Sequence, residues 1–164
     1  MRILVTGATG FVGRHLLRLL VNRGHAVFGT YIAEKPSQFA PGVRLYRCDI
    51  RDGARLRTIF RRVRPQRVYH LAALSSVKES FTDFQAVYDT NFWGTFHLLE
   101  AVRQDAPKAR LLVVGSGQCY GAIKPSRLPV DESHPFSPQS PYALSKASAD
   151  MLAEHYHRRF GLHV

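Results

Sequence analysis

Cysteine is scarce: Cys48 and Cys119 are the only two among 164 residues, and neither stands in a C-x-x-C or Cys/His spacing. That pattern argues against a disulfide framework and a structural zinc site, so no metal is expected and a reducing compartment is the natural setting. Long apolar runs are missing too. The opening MRILVTGATG holds only Ile3, Leu4 and Val5 ahead of a turn residue, too short for a signal-peptide core. No later stretch reaches the ~18 apolar residues of a membrane span, so a soluble, cytoplasmic protein without a membrane partner is expected. Acidic residues are few, 12 against 23 Lys plus Arg, for a net charge of +11. The whole excess lies in the first 70 residues, with 14 basic and 3 acidic side chains. Arg51, Arg55, Arg57, Arg61, Arg62, Arg64 and Arg67 crowd one segment of it. A solvated helix face explains such a run most simply, and a nucleic-acid partner is neither required nor excluded by it.

What is present is enough for a core. With 45% hydrophobic residues, a chain of this length makes one domain that hides about 70% of its unfolded surface. Strand-length apolar runs alternate with longer helical patterns, the signature of βαβ units on a parallel sheet. Strands are predicted at 2–6, 26–31, 43–48, 67–72 and 110–115. Helices are predicted over 11–23, briefly after Asp52, over 83–104 and over 142–160, the last stopped by Gly161. The fold class that follows is α/β: a Rossmann-like doubly wound parallel sheet, order 3-2-1-4-5, with helices on both faces. Residues 121–141 hold five prolines and no periodicity, and are read as an active-site loop. After Gly161, apolar residues resume at Leu162 and Val164 as if a further strand began, so the single domain 1–164 is expected to be cut mid-fold.

The first strand runs directly into TGATGFVG. In that position Gly7 permits a tight turn, Gly10 lets a pyrophosphate approach the backbone, and Gly13 allows close packing of helix on sheet. Free amides and the helix dipole attract the phosphates, with Thr6, Thr9 and Phe11 lining the site. A glycine-rich connector without a ligand is the alternative, and the strand before and helix after count against it. The second strand ends in Thr30-Tyr31-Ile32, where an NAD site would place a carboxylate on the adenosine ribose; Glu34 comes three residues late. NADP is therefore favoured over NAD. Asp49 is positioned to accept from an adenine amino group, unless it is only a loop residue or a helix cap.

Tyr142 and Lys146 stand four apart in SPYALSK, on one face of a helix. An ammonium beside a phenol of pKa about 10 favours the phenolate, which suits proton transfer. Ser116 follows the fifth strand, and parallel sheets bind ligands beyond the carboxyl ends of their strands, so hydroxyl and phenol can meet above a nicotinamide.

These blocks, with HLAALSSVKESF at 70–81, NFWGTFHLLEA at 91–101 and VVGSGQCYG at 113–121, resemble the extended short-chain dehydrogenase/reductases acting on nucleotide sugars, the NAD-dependent epimerase/dehydratase family. HLAALSSVKESF looks nearest the GDP-mannose 4,6-dehydratase and GDP-4-keto-6-deoxy-mannose reductase branch. The resemblance implies that Tyr142 is the acid/base, that Lys146 positions the nicotinamide ribose and tunes Tyr142, and that Ser116 holds the reacting sugar oxygen. It adds Ile50, Leu71, Ala72 and Ala73 to the cofactor-binding set, and Asn91 near the active site unless that residue merely packs. Dehydratases of the family carry an acid two positions after the catalytic Ser/Thr. Here that position is Gln118, which cannot act as a general base. A 4-keto sugar reductase is therefore expected first, with a 4-epimerase or 4,6-dehydratase as the alternative on the same scaffold. A non-catalytic dinucleotide- or RNA-binding protein is the further alternative, although a binder needs none of Ser116, Tyr142 and Lys146. The family pattern also implies a nucleotide-sugar substrate, a homodimer built on 83–104 and 142–160, and a substrate subdomain beyond the residues of this chain.

Overall fold

The computed structural model describes residues 1–33 and 41–164; Glu34, weighed above as a ribose ligand, lies outside them. Five strands form one sheet: β1 (Arg2–Thr6), β2 (Ala26–Tyr31), β3 (Val43–Arg47), β4 (Arg67–His70) and β5 (Arg110–Val113). Every pairing is parallel and the order is β3-β2-β1-β4-β5, as the alternation of strand and helix predicts. Side-chain alternation along β1 splits the core in two. Ile3 and Val5 join Ala8, Leu17, Leu20 and Val27 on the face covered by α1 (Phe11–Asn22). Leu4 joins the larger cluster on the other face, beneath α2 (Gly53–Val63), α5 (Gly94–Asp105) and α6 (Pro141–Phe160). Phe60, Leu98, Leu99, Val102 and Tyr156 fill that layer.

The helix predicted over 83–104 is not one regular helix. It comprises α4 (Phe84–Tyr88), a π-helical turn at Asp89–Trp93, and α5. The π turn carries Asn91 into the interior, where its amide accepts from Leu74 N–H and donates to the Leu74 carbonyl, both at 2.9 Å. Gly94 follows because a Cβ there would sit 2.6 Å from Ile50 Cδ1. A short helix, α3 (Val77–Ser80), capped by Ser76, went unpredicted, four residues being too few for a readable period. The predicted short helix after Asp52 runs for 11 residues. β3, β4 and β5 stop one or two residues before their predicted ends, and after β3 and β4 the chain leaves the sheet to line a cavity with Cys48, Leu71 and Ala72. His163 forms a single parallel bridge to Arg110, where the residues after Gly161 suggest a strand. No described helix is long and apolar enough to cross a membrane.

Candidate active site

The glycine-rich turn read as a phosphate site lies between β1 and α1. Gly7 adopts φ +65°, and a Cβ on it would lie 2.8 Å from Ala72 N and 2.9 Å from the Leu71 carbonyl carbon. The turn is therefore pressed against the segment leaving β4. Gly13 packs beneath, where a Cβ would strike the Gly7 carbonyl oxygen and come within 2.8 Å of Ala8 O. Gly10 is different. It is exposed, and a Cβ on it would meet only Gly7 O, at 3.3 Å. Helix α1 starts after it with no side-chain cap and no acid in the first turn. The first intrahelical acceptor is Gly10 O, taking Arg14 N–H, so the Phe11, Val12 and Gly13 amides are left for a ligand. Ala8 N–H donates to Thr30 O at 3.0 Å, tying the turn to the end of β2.

Beside the turn lies a cavity of about 280 Å³. Gly7, Thr9 and Gly10 form one wall, Asp49 and Ile50 another, and Leu71, Ala72 and Ala73 a third. Of the other predicted cofactor residues, Phe11 projects into solvent, 81% exposed, along a neighbouring groove with Arg14, His15 and Arg18. Gly13 and Asn91 are buried behind the walls. Asp49 is not a free acceptor: Arg51 grips its carboxylate, with a closest approach of 2.6 Å, and holds its pKa below the usual range. Sequence reasoning had placed Arg51 in the arginine run and missed that it lines the cavity with Thr30, Tyr31 and Ile32. Only the return of the chain at the end of β3 reveals it. Cys48, also lining the cavity, has a thiol pushed up to about 12, by burial first and by Asp52 next.

Tyr142 and Lys146 lie on the first two turns of α6. Ser140 caps the helix by accepting from Ala143 N–H at 3.1 Å, and Pro141 opens it with a preset φ. Tyr142 is half-buried, while Lys146 is buried and burial pushes its pKa down, opposed by Cys119 and Asp150. Ser116 begins a tight turn, Gly117–Tyr120, its hydroxyl accepting from Gln118 N–H at 3.3 Å. That turn docks on α6 through Cys119, whose Sγ is 3.7 Å from Ala143 O. Ser116 is thereby carried to the Tyr142 end of the helix. An open groove lined by Gly117, Gln118, Gly121, Ala122, Gln139 and Ser140 runs alongside.

A family model described as GDP-mannose 4,6 dehydratase matches residues 4–164. The chain belongs to this family. The GDP-mannose 4,6 dehydratase family is one of the extended short-chain dehydrogenase/reductases, as the sequence blocks imply. The chain is 36% identical to a probable dTDP-glucose 4,6-dehydratase of Sinorhizobium fredii, over 100% of this chain and 51% of that one. Its fold matches Thermus thermophilus UDP-glucose 4-epimerase in complex with NAD, with a TM-score of 0.90, 35% identity, and coverage of 99% of this chain and 52% of that one. DesIV of Streptomyces venezuelae, a dTDP-glucose 4,6-dehydratase with NAD bound, matches with a TM-score of 0.86 and 35% identity, over 99% of this chain and 53% of that one. The chain spans about half the length of the curated relatives it matches.

Proposed function

We propose that the protein is an NAD(P)-dependent oxidoreductase acting at C4 of a nucleotide-linked sugar, of the GDP-4-keto-6-deoxy-mannose reductase type. The observation that carries the reading is the meeting of three features at one end of the sheet: an uncapped helix N-terminus behind a glycine turn, a cavity beside it, and Ser116 and Tyr142 on adjoining elements with buried Lys146. Exposed Gly10 leaves a cradle that fits a pyrophosphate, while Gly7 and Gly13 are consumed by packing. Thr9, Phe11 and the α1 amides would hold the diphosphate, Ile50 and the Asp49–Arg51 pair the adenine, and Leu71, Ala72 and Ala73 the middle of the dinucleotide. When bound, the nicotinamide supplies or takes a hydride.

The residues of the chain do the rest. Ser116 hydrogen-bonds the sugar oxygen at C4, and Tyr142 delivers its proton to that oxygen as the carbonyl is reduced, or removes it in the reverse direction. Lys146, its ammonium already destabilised by burial, gains by binding the ribose hydroxyls and stabilises the phenolate. Asn91 holds Leu74 and, through Ser145, the first turn of α6. Gln118 offers an amide where dehydration needs a carboxylate, and this favours reduction over loss of water. The segment 121–141 supplies Gly121, Ala122, Gln139 and Ser140 to the groove and is proposed as the substrate loop. NADP is favoured over NAD because the described end of β2 puts Thr30, Tyr31 and Ile32 at the cavity without a carboxylate, and Arg51, paired with Asp49, lines the same cavity.

A 4-epimerase is the second reading, favoured by the likeness to UDP-glucose 4-epimerase. The two part on cofactor balance. Loss of NADPH absorbance in step with a 4-keto nucleotide sugar marks the reductase; turnover without net loss marks the epimerase. Thermal-shift titration with NAD(H), NADP(H) and GDP-, UDP- and dTDP-sugars should raise the midpoint with NADPH before NADH. Tyr142→Phe should abolish turnover and leave cofactor affinity within about threefold, a difference under 1 kcal/mol. Unchanged turnover would remove Tyr142 from its role.

A further inference from the structure

His70 closes β4 inside the protein, 4% exposed, and no step above uses it. Both ring nitrogens are engaged: Nδ1 lies 2.7 Å from Thr6 Oγ1, and Nε2 lies 3.1 Å from Thr95 Oγ1. Counting protons sets the direction of each bond. Thr95 Oγ1 donates its one proton to the Asn91 carbonyl at 2.6 Å, so it accepts from Nε2–H. Nδ1 is then bare and accepts the Thr6 hydroxyl proton, while Thr6 Oγ1 accepts from Ala72 N–H at 3.2 Å. The other tautomer would turn the Thr95 proton away from Asn91 and leave the Thr6 proton without an acceptor. A doubly protonated ring would put a second buried cation near Lys146; burial and that neighbour keep the ring pKa down at about 3. Beyond Asn91 the connections continue. Its amide donates to Ser145 Oγ at 3.0 Å, and Ser145 Oγ donates to the Tyr142 carbonyl at 2.7 Å.

We propose that His70 is a positioning residue: held as the neutral Nε2–H tautomer, it joins the phosphate turn at Thr6 to the π turn at Asn91 and so sets the placement of the cofactor cradle relative to the Tyr142 helix. The proposal rests on reading the turn as a dinucleotide site. Its two arms separate by substitution, because an Asn amide reaches the Nδ1 position and a Gln amide the Nε2 position. His70→Asn keeps a partner for Thr6 and loses Thr95. His70→Gln keeps Thr95 and loses Thr6. In His70→Asn, dinucleotide Kd should stay within about twofold while kcat falls about tenfold; in His70→Gln, Kd should rise about tenfold with kcat at saturating cofactor nearly unchanged. Equal losses of both constants in both variants, or no loss in either, overturn it.

A measurement on the unaltered protein needs no variant to fold. Nitrogen-15 NMR of the His70 ring should show protonated Nε2 and bare Nδ1, with no titration from about pH 5 to 8. A protonated Nδ1, or a titrating ring, overturns the proposal. Failure of the unaltered protein to bind any dinucleotide would instead remove the functional reading, and the ring spectrum would still decide the tautomer.

Discussion

Three glycines in one turn answer to different forces. Gly7 has a positive φ and no room for a methyl group against Ala72 N at 2.8 Å, so Gly7→Ala should cost about 2 kcal/mol or more of unfolding free energy. Gly10 has a negative φ and a single close neighbour, Gly7 O at 3.3 Å. Gly10→Val should leave the denaturation midpoint within a few degrees, an effect below about 1 kcal/mol, yet abolish the stabilisation that a dinucleotide confers. Equal dinucleotide affinity in Gly10→Val would show that the phosphates lie elsewhere. The buried ring of His70 has a pH consequence of its own. Its folded pKa is depressed to about 3, whereas an unfolded histidine binds a proton near pH ~6.5. The folded state therefore holds fewer protons, and stability present above about pH 6.5 declines as pH falls, by up to about 1.4 kcal/mol per unit from this one group. Chemical denaturation at stepwise lower pH should show that slope, reduced in His70→Gln.

At the level of elements, α6 carries the proposed chemistry and two devices hold it. Ser140 caps its first turn, beside Tyr142; Ser140→Ala should cost about 1 kcal/mol and lower kcat more than it raises cofactor Kd, measured by denaturation and steady-state kinetics. Further along, Tyr156 donates to Glu100 of α5 at 2.7 Å, and Arg103 and Gln104 donate to the same carboxylate. Arg103, then Tyr156 and Gln104, pull the Glu100 pKa down to about 2. A depressed carboxylate contributes stability that is complete above its ordinary pKa, near ~4.3, and is lost as pH falls toward about 2. Glu100→Gln should flatten that part of the acid limb and cost about 1 kcal/mol at neutral pH, since the group is partly solvated and its ion pair is screened. The π turn between α4 and α5 follows the same logic. Apolar spacing shows that a helix is there, but not that Asn91 must swing inward to satisfy Leu74.

Across the whole molecule, the arginine run lies largely on a solvated face, with Arg51, Arg55, Arg61, Arg62 and Arg64 exposed, and several of its members pair at the surface. Arg57 and Arg61 share Asp105, Arg51 holds Asp49, and Arg62 lies 5.9 Å over the Tyr46 ring. A separate exposed apolar surface lies on the helices proposed for dimerisation: Phe84, Trp93, Leu144 and Met151 are 41–61% exposed. Were α4–α5 and α6 the interface, Met151→Asp should shift the species seen by sedimentation from dimer to monomer without unfolding the chain.

What the sequence determined alone was whatever depends on local period and local chemistry. The βαβ alternation set five parallel strands and, through right-handed crossovers, their order. TGATGFVG marked a tight glycine turn between β1 and α1 because its glycines act within one strand-turn-helix. The four-residue spacing of Tyr142 and Lys146 placed both on one helical face. Tertiary structure alone decided which groups from distant segments meet: the Asp49–Arg51 pair lining one cavity with the Gly7–Gly10 turn, Cys119 docking the Ser116 turn on α6, and Thr6, His70 and Thr95 closing one buried hydrogen-bonded line. Those contacts join residues as far as 64 positions apart. They arise because a polar group shut away from water must find a partner wherever the packed chain brings one, and no local pattern records that place.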